Sequence, residues 1–158
     1  MRKTRPSRIE IDLGALKNNI SVIKSWAGSD TRLMAVVKAD AYGHGAVPVS
    51  RVAEAEGVHF LGVAFLEEAC ELQDAGIKTP IVILYPEDDE RTAEAVGRGF
   101  YITVTDHEQP GRIKKLAGQS APIRYFVKVE SGMHRYGMPA DDVLAAIEGK
   151  CAHAEEEL

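Results

Sequence analysis

Short apolar runs alternate with longer stretches in which apolar residues recur every three or four positions. Leu33 to Val37, Phe60-Leu-Gly-Val63, Ile81-Val-Ile-Leu84, Tyr101-Ile-Thr-Val104 and Ile123 to Val129 read as five strands. Between them the helical period recurs from about Ala46 to Glu56, from Glu67 to Ala75, from Asp88 to Val96 and from Asp106 to about Ala117. A further helix is predicted over Ala140 to Ile147. Boundary residues agree with this division. Pro48 falls in a first turn, Gly57 and Gly76 follow helix ends, and Pro110 is tolerable only near a helix start. Upstream, Ile9, Ile11 and Leu13 alternate with polar residues, as a half-buried strand does. Asp12 is placed to cap a helix carrying Leu13, Leu16, Ile20 and Ile23 on one face, with Gly28 as its stop.

The strands recur at intervals of roughly twenty to twenty-six residues. All-apolar strands separated by amphipathic helices imply an α/β fold with a parallel sheet covered by helices. Two architectures satisfy this pattern: an open doubly wound sheet, or part of a (β/α)8 TIM-type barrel. No Gly-x-Gly-x-x-Gly follows the first long strand, which weakens a dinucleotide reading.

Composition narrows the function classes. The 158 residues suffice for a domain with a real core, and 45% hydrophobic with 27% charged is ordinary for a globular protein. A net charge of -5 points away from nucleic acid and from acidic membrane surfaces. No apolar run approaches the ~20 residues that span a bilayer, and no apolar segment follows the basic N-terminus, so neither a membrane span nor a secretory signal is expected. Cys70 and Cys151 lack metal-like spacing and read as thiols in a reducing cytoplasm. The five histidines are scattered, so no metal site is expected.

The candidate chemistry begins at Lys38. It closes the buried run Leu33 to Val37, and an ammonium there is costly unless it is paired, neutralised or used covalently. The ordinary alternative is a strand-end lysine that snorkels to solvent. The nine residues Val37-Lys-Ala-Asp-Ala-Tyr-Gly-His-Gly45 resemble the pyridoxal-lysine segment of alanine racemases, apart from Asp40, where many relatives carry Asn. Arg8-Ile-Glu-Ile-Asp-Leu-Gly-Ala-Leu-Lys-Asn-Asn19 resembles the start of the same family. The resemblance implies that Lys38 is the Schiff-base lysine of pyridoxal 5'-phosphate (PLP) and one of two catalytic bases, and that Tyr42 reaches the cofactor phosphate. It also favours the barrel over the open sheet.

A second segment, Phe126-Val-Lys-Val-Glu-Ser-Gly-Met-His-Arg-Tyr-Gly137, places Lys128 near the end of the fifth strand and Arg135 in the loop beyond. On a barrel both belong to the same face as Lys38. The segment resembles the racemase stretch Lys-x-Asp-(Ser/Thr)-Gly-Met-x-Arg-x-Gly, with Glu130 for the usual Asp and His134 for a residue that is often Gly. There the resemblance implies that Arg135 contacts the cofactor and the substrate carboxylate, and that a carbamylated Lys128 grips Arg135. Carbamylation turns a cation into an anion, which a guanidinium can hold in a bidentate pair.

A complete barrel takes eight strands and ~250 residues. Five strands therefore imply a partial barrel over residues 1–150, with an acidic tail at 151–158 as a truncation point. The parent activity implied is interconversion of L- and D-alanine for cell-wall precursors, in a cytoplasmic homo-oligomer. The second base, a tyrosine of a partner subunit in the family, and most of the phosphate cup have no counterpart here. The chain alone is expected to be inactive and to self-associate through its open sheet edges. Two other readings stand beside this one: a non-catalytic PLP-binding barrel protein, and a structural half-barrel.

Overall fold

In the computed structural model, residues 9–118 and 122–147 are described. The apolar runs form five short parallel strands: β1 (Met34–Val36), β2 (Phe60–Val63), β3 (Ile81–Ile83), β4 (Ile102–Val104) and β5 (Tyr125–Val127). β1, β2 and β3 make one sheet, and β4 and β5 another. A parallel bridge between Val82 and Tyr101 joins the two. Ile83 N–H donates to the Tyr101 carbonyl at 2.8 Å, and Tyr101 N–H to that of Ile81 at 2.9 Å. Each strand thus lies beside its neighbour in sequence, always parallel. That is the winding of a barrel, with no reversal of strand order of the kind that marks a doubly wound sheet. The fold is part of a TIM-type (β/α) barrel, as expected.

The helices are α1 (Leu13–Ala27), α2 (Lys38–Gly43), α3 (Ala46–Ala55), α4 (Leu66–Asp74), α5 (Asp89–Gly97), α6 (Gln109–Ala117) and α7 (Ala140–Ile147). Their buried residues repeat at helical spacing: Ala46, Ser50 and Ala53 on α3, and Leu66, Ala69 and Leu72 on α4. These faces close over the strands, where Leu61, Val63 and Val82 are fully buried. Val82→Ala would forfeit both the transfer energy of its methyls and the packing around them.

Two expectations need correction. Residues 9–12 form no strand: Ile9 is 84% exposed, and Leu13 belongs to α1. An alternating segment becomes a strand only with a ladder partner. Here the Asp12 carboxylate instead accepts from Gly14 N–H at 2.8 Å and Ala15 N–H at 3.0 Å, which starts the helix at once. The run before Lys38 is also less buried and shorter than expected. Val36 is exposed, and β1 ends there, two residues before the lysine. Among the described residues, β1 pairs with β2 alone. The expected boundary near residue 150, the acidic tail and Cys151 lie outside the described residues.

Candidate functional site

Every sequence-predicted site residue lies past the C-terminal end of a strand. Lys38 and Tyr42 follow β1, Lys128 follows β5 directly, and Arg135 sits in the loop beyond it. In a barrel this is the face built from the βα loops.

The Lys38 segment is an element that the sequence pattern did not reveal. Ala39, Asp40, Ala41 and Tyr42 all have positive φ, from 51° to 57°. α2 is therefore a left-handed helical turn, which costs about 1–2 kcal/mol per non-glycine residue. The surroundings must hold it. Ala39 N–H donates to Glu68 Oε1 at 2.7 Å, and the other oxygen of that carboxylate accepts from Ala64 N–H at 2.6 Å. Glu68 thereby ties the lysine turn to the loop after β2. Asp40 Oδ1 accepts from Ala46 N–H at 2.6 Å, at the start of α3. His44 Nδ1 lies 2.8 Å from the Ala41 carbonyl. Ala41 packs inward while Tyr42 is 63% exposed. One buried and one exposed side chain on successive residues leave the mouth lined by the tyrosine.

The second segment is closed as a loop by Met138 N–H donating to the Lys128 carbonyl at 2.7 Å and Glu130 N–H donating to that of Met138 at 2.8 Å. Gly137 sits at the crossing. A Cβ there would stand 2.8 Å from Glu130 N and 2.9 Å from the Val129 carbonyl carbon, so only glycine fits. Inside the loop, Glu130 Oε1 accepts from Gly132 N–H at 2.5 Å and His134 N–H at 3.0 Å. These bonds, that to His134 first, lower the Glu130 pKa below the ordinary glutamate value. A longer acid than the usual Asp thus still caps the loop. His134 has φ +50°, which explains why glycine suits that position. All five positive-φ non-glycine residues among those described fall in these two segments. Backbone strain concentrates at functional sites because it persists only where surroundings over-determine it.

The segments meet at Tyr85, two residues beyond β3. Its hydroxyl accepts from Lys38 Nζ at 3.1 Å, and its ring centroid lies 4.8 Å from the same nitrogen. Lys128 Nζ stands 5.9 Å from that ring. Phe65 and Tyr136 flank it, with centroids at 5.5 and 5.9 Å. The Tyr85 hydrogen bond is the largest influence on Lys38 and raises its pKa; burial opposes it, as does the charge of Arg135. Conversely, the bond from Lys38 lowers the Tyr85 phenol. Lys38, Lys128 and Arg135 gather positive charge around one aromatic residue at an open mouth. The fourth residue, Tyr42, acts on Lys38 through charge. An accessible amine beside fixed cations and phenols suits an anionic ligand bearing a carbonyl group.

The sequence reading missed Tyr85, Glu68 and Glu87. Tyr85 had a signal, as a phenol just past the apolar run Ile81 to Leu84. The acids had only a general one, their place near a helix start. Glu87 Oε1 accepts from Leu66 N–H at 2.5 Å, and its other oxygen pairs with Arg91 Nε. Arg91 also reaches Glu67 Oε1 at 2.6 Å, so its pKa is raised, first by Glu67 and then by Glu87. The loop after β3 and the start of α5 are thereby fixed to the first turn of α4.

Residues 11–157 match the family described as alanine racemase, N-terminal domain. The chain is 42% identical over 146 residues to an alanine racemase of Xanthomonas oryzae pv. oryzae, covering 90% of the chain and 38% of that protein. It is 40% identical over 151 residues to an alanine racemase of Desulforamulus reducens, covering 93% and 40%. Among solved structures, alanine racemase from E. faecalis superposes with a TM-score of 0.82 at 32% identity, over 97% of this chain and 42% of that one. A histidine racemase from Leuconostoc mesenteroides gives 0.77 at 28% identity, over 89% and 38%. The chain thus spans about two fifths of the length of the curated relatives it matches.

Proposed function

The chain belongs to the alanine racemase N-terminal domain family, whose members are PLP-dependent isomerases, and on that premise we propose that it carries the cofactor lysine, Lys38, of an enzyme interconverting L- and D-alanine. The observation that carries this reading is the placement of Lys38 Nζ. It sits on a strained turn at the C-terminal end of a barrel strand, bonded to Tyr85.

Bound PLP supplies an electron sink that makes the α-proton of an amino acid removable. The chain's own residues do the rest of what this segment contributes. Lys38 Nζ would hold the cofactor and would serve as the base that takes or returns the α-proton on one face of the substrate. Arg135 would present its guanidinium to the cofactor and to the substrate carboxylate. Lys128, as a carbamate, would orient Arg135, and Tyr42 would donate its hydroxyl to the cofactor phosphate. The base for the opposite face and most of the phosphate cup come from other residues of the assembled enzyme, a cytoplasmic homo-oligomer. A histidine racemase shares the fold, so the fold does not choose the substrate; alanine is favoured by the curated relatives.

Among the described residues β1 and β5 each have one unpaired edge, and self-association through them is the expected state of the isolated chain. Light scattering checks this, and a well-folded monomer would refute it. For the cofactor lysine, the test is the visible absorbance of lysine-bound PLP. It should develop when PLP is added and vanish in Lys38→Ala; persistence in that variant would overturn the assignment.

A further inference from the structure

Tyr85 is the residue at which three strand ends meet, and neither sequence motif contains it. Its hydroxyl and its ring contact the same nitrogen, Lys38 Nζ, at 3.1 and 4.8 Å. The ring is itself held from both sides, by Phe65 after β2 and by Tyr136 after β5. A lysine side chain has four freely rotating bonds and no preferred direction at a solvent-facing mouth. An acceptor and a π-face on one immobilised residue select a single direction for it.

We propose that Tyr85 is the positioning residue of Lys38, fixing its amine at the barrel mouth by hydrogen bond and ring contact. This rests on the reading of Lys38 as the cofactor lysine. Tyr85 itself touches the amine and, through its neighbours, couples it to both flanking loops.

The charge around the pair gives the consequence. Lys38 faces the Tyr85 and Tyr42 hydroxyls and the Arg135 guanidinium, while Tyr85 faces Lys38, Arg135 and Lys128. Lys38 must shed a proton before it can attack a carbonyl or act as a base. The Tyr85 bond favours the protonated amine, and Arg135 disfavours it. Removing the phenolic oxygen takes away the largest influence raising the Lys38 value and leaves burial and Arg135 opposed by Tyr42, so the amine deprotonates at lower pH. The ring contact survives in Tyr85→Phe and is lost in Tyr85→Leu.

The test is the titration of Lys38 in the full 158-residue chain. It is followed by NMR after reductive 13C-methylation, with its resonance assigned by loss in Lys38→Arg. The midpoint should move to lower pH in Tyr85→Phe and stay in place in Tyr136→Phe, which alters the ring's neighbour but not the bond to Nζ. An unmoved midpoint in Tyr85→Phe overturns the proposal, whether or not PLP attaches to Lys38. A shifted midpoint supports it even if PLP attaches to another lysine, a result that would sink the cofactor reading alone. If Tyr85→Phe unfolds, Tyr85→Leu with the same readout takes its place, with the same downward shift expected and an unmoved midpoint again decisive against.

Discussion

β3 and β5 have nearly the same apolar character and opposite environments. Ile81, Val82 and Ile83 are 4%, 0% and 3% exposed, whereas Tyr125, Phe126 and Val127 are each about 40% exposed. β3 lies between β2 and β4 and packs against α4; among the described residues β5 pairs with β4 alone. Burial is thus conferred by neighbours, and an apolar triplet is only a request for them. The site divides along the same line. Tyr85 and Glu68 follow the enclosed strands β3 and β2, whereas Lys38 follows β1 and Lys128 and Arg135 follow β5, the two outer strands among the described residues.

A like-for-like substitution breaks or sustains this contrast. Val82→Ala should cost about 2–3 kcal/mol, from lost burial and the cavity left behind. Val127→Ala should cost about 1 kcal/mol or less, since its side chain is already partly wet. Urea denaturation of both variants measures the difference. Equal losses would show that β5 is enclosed after all, for instance by a second copy of the chain.

Acid should loosen both sides by one mechanism. On the enclosed side, burial pushes the Glu54 pKa up, but hydrogen bonds from Thr79 and Lys78 N–H outweigh it and the value is lowered. On the open side the Glu130 value is lowered too. A depressed carboxylate stabilises fully above the unfolded value of about 4.3 and loses that contribution as pH falls through the folded value. Amide exchange at Thr79 and at Gly132 should both accelerate as pH is lowered through that window, after correction for intrinsic exchange. Acceleration of neither would mean that these bonds do not stabilise.

The smallest effect concerns the turn at Lys38. Ala39 has φ +52° and an exposed side chain. Ala39→Gly keeps its N–H bond to Glu68 and removes the left-handed penalty. After the loss of backbone entropy it should stabilise by about 0.5–1 kcal/mol. Destabilisation would show that the turn is relaxed, or that it forms only by virtue of the alanine.

Most of the architecture was legible because periodicity reports burial directly. All five strands and all the long helices fall within a few residues of their apolar blocks. The fifth strand is shorter than its block by two residues at each end, ending where its pairing with β4 ends. Residues 9–12 misled for the same reason: alternation without a neighbour is only a polar-apolar sequence. In the site, Lys38, Tyr42, Lys128 and Arg135 were legible through short motifs. The left-handed turn was not, because alanines have no local preference for it and tertiary hydrogen bonds impose it. Tyr85 was hidden because its partner lies 47 positions away.

The function proposed for this segment turns on which lysine holds the cofactor. Borohydride reduction of the chain with PLP, followed by peptide mapping, should place the pyridoxyl label on the peptide containing Lys38, with Lys128 unlabelled. A label predominantly on any other lysine would contradict it.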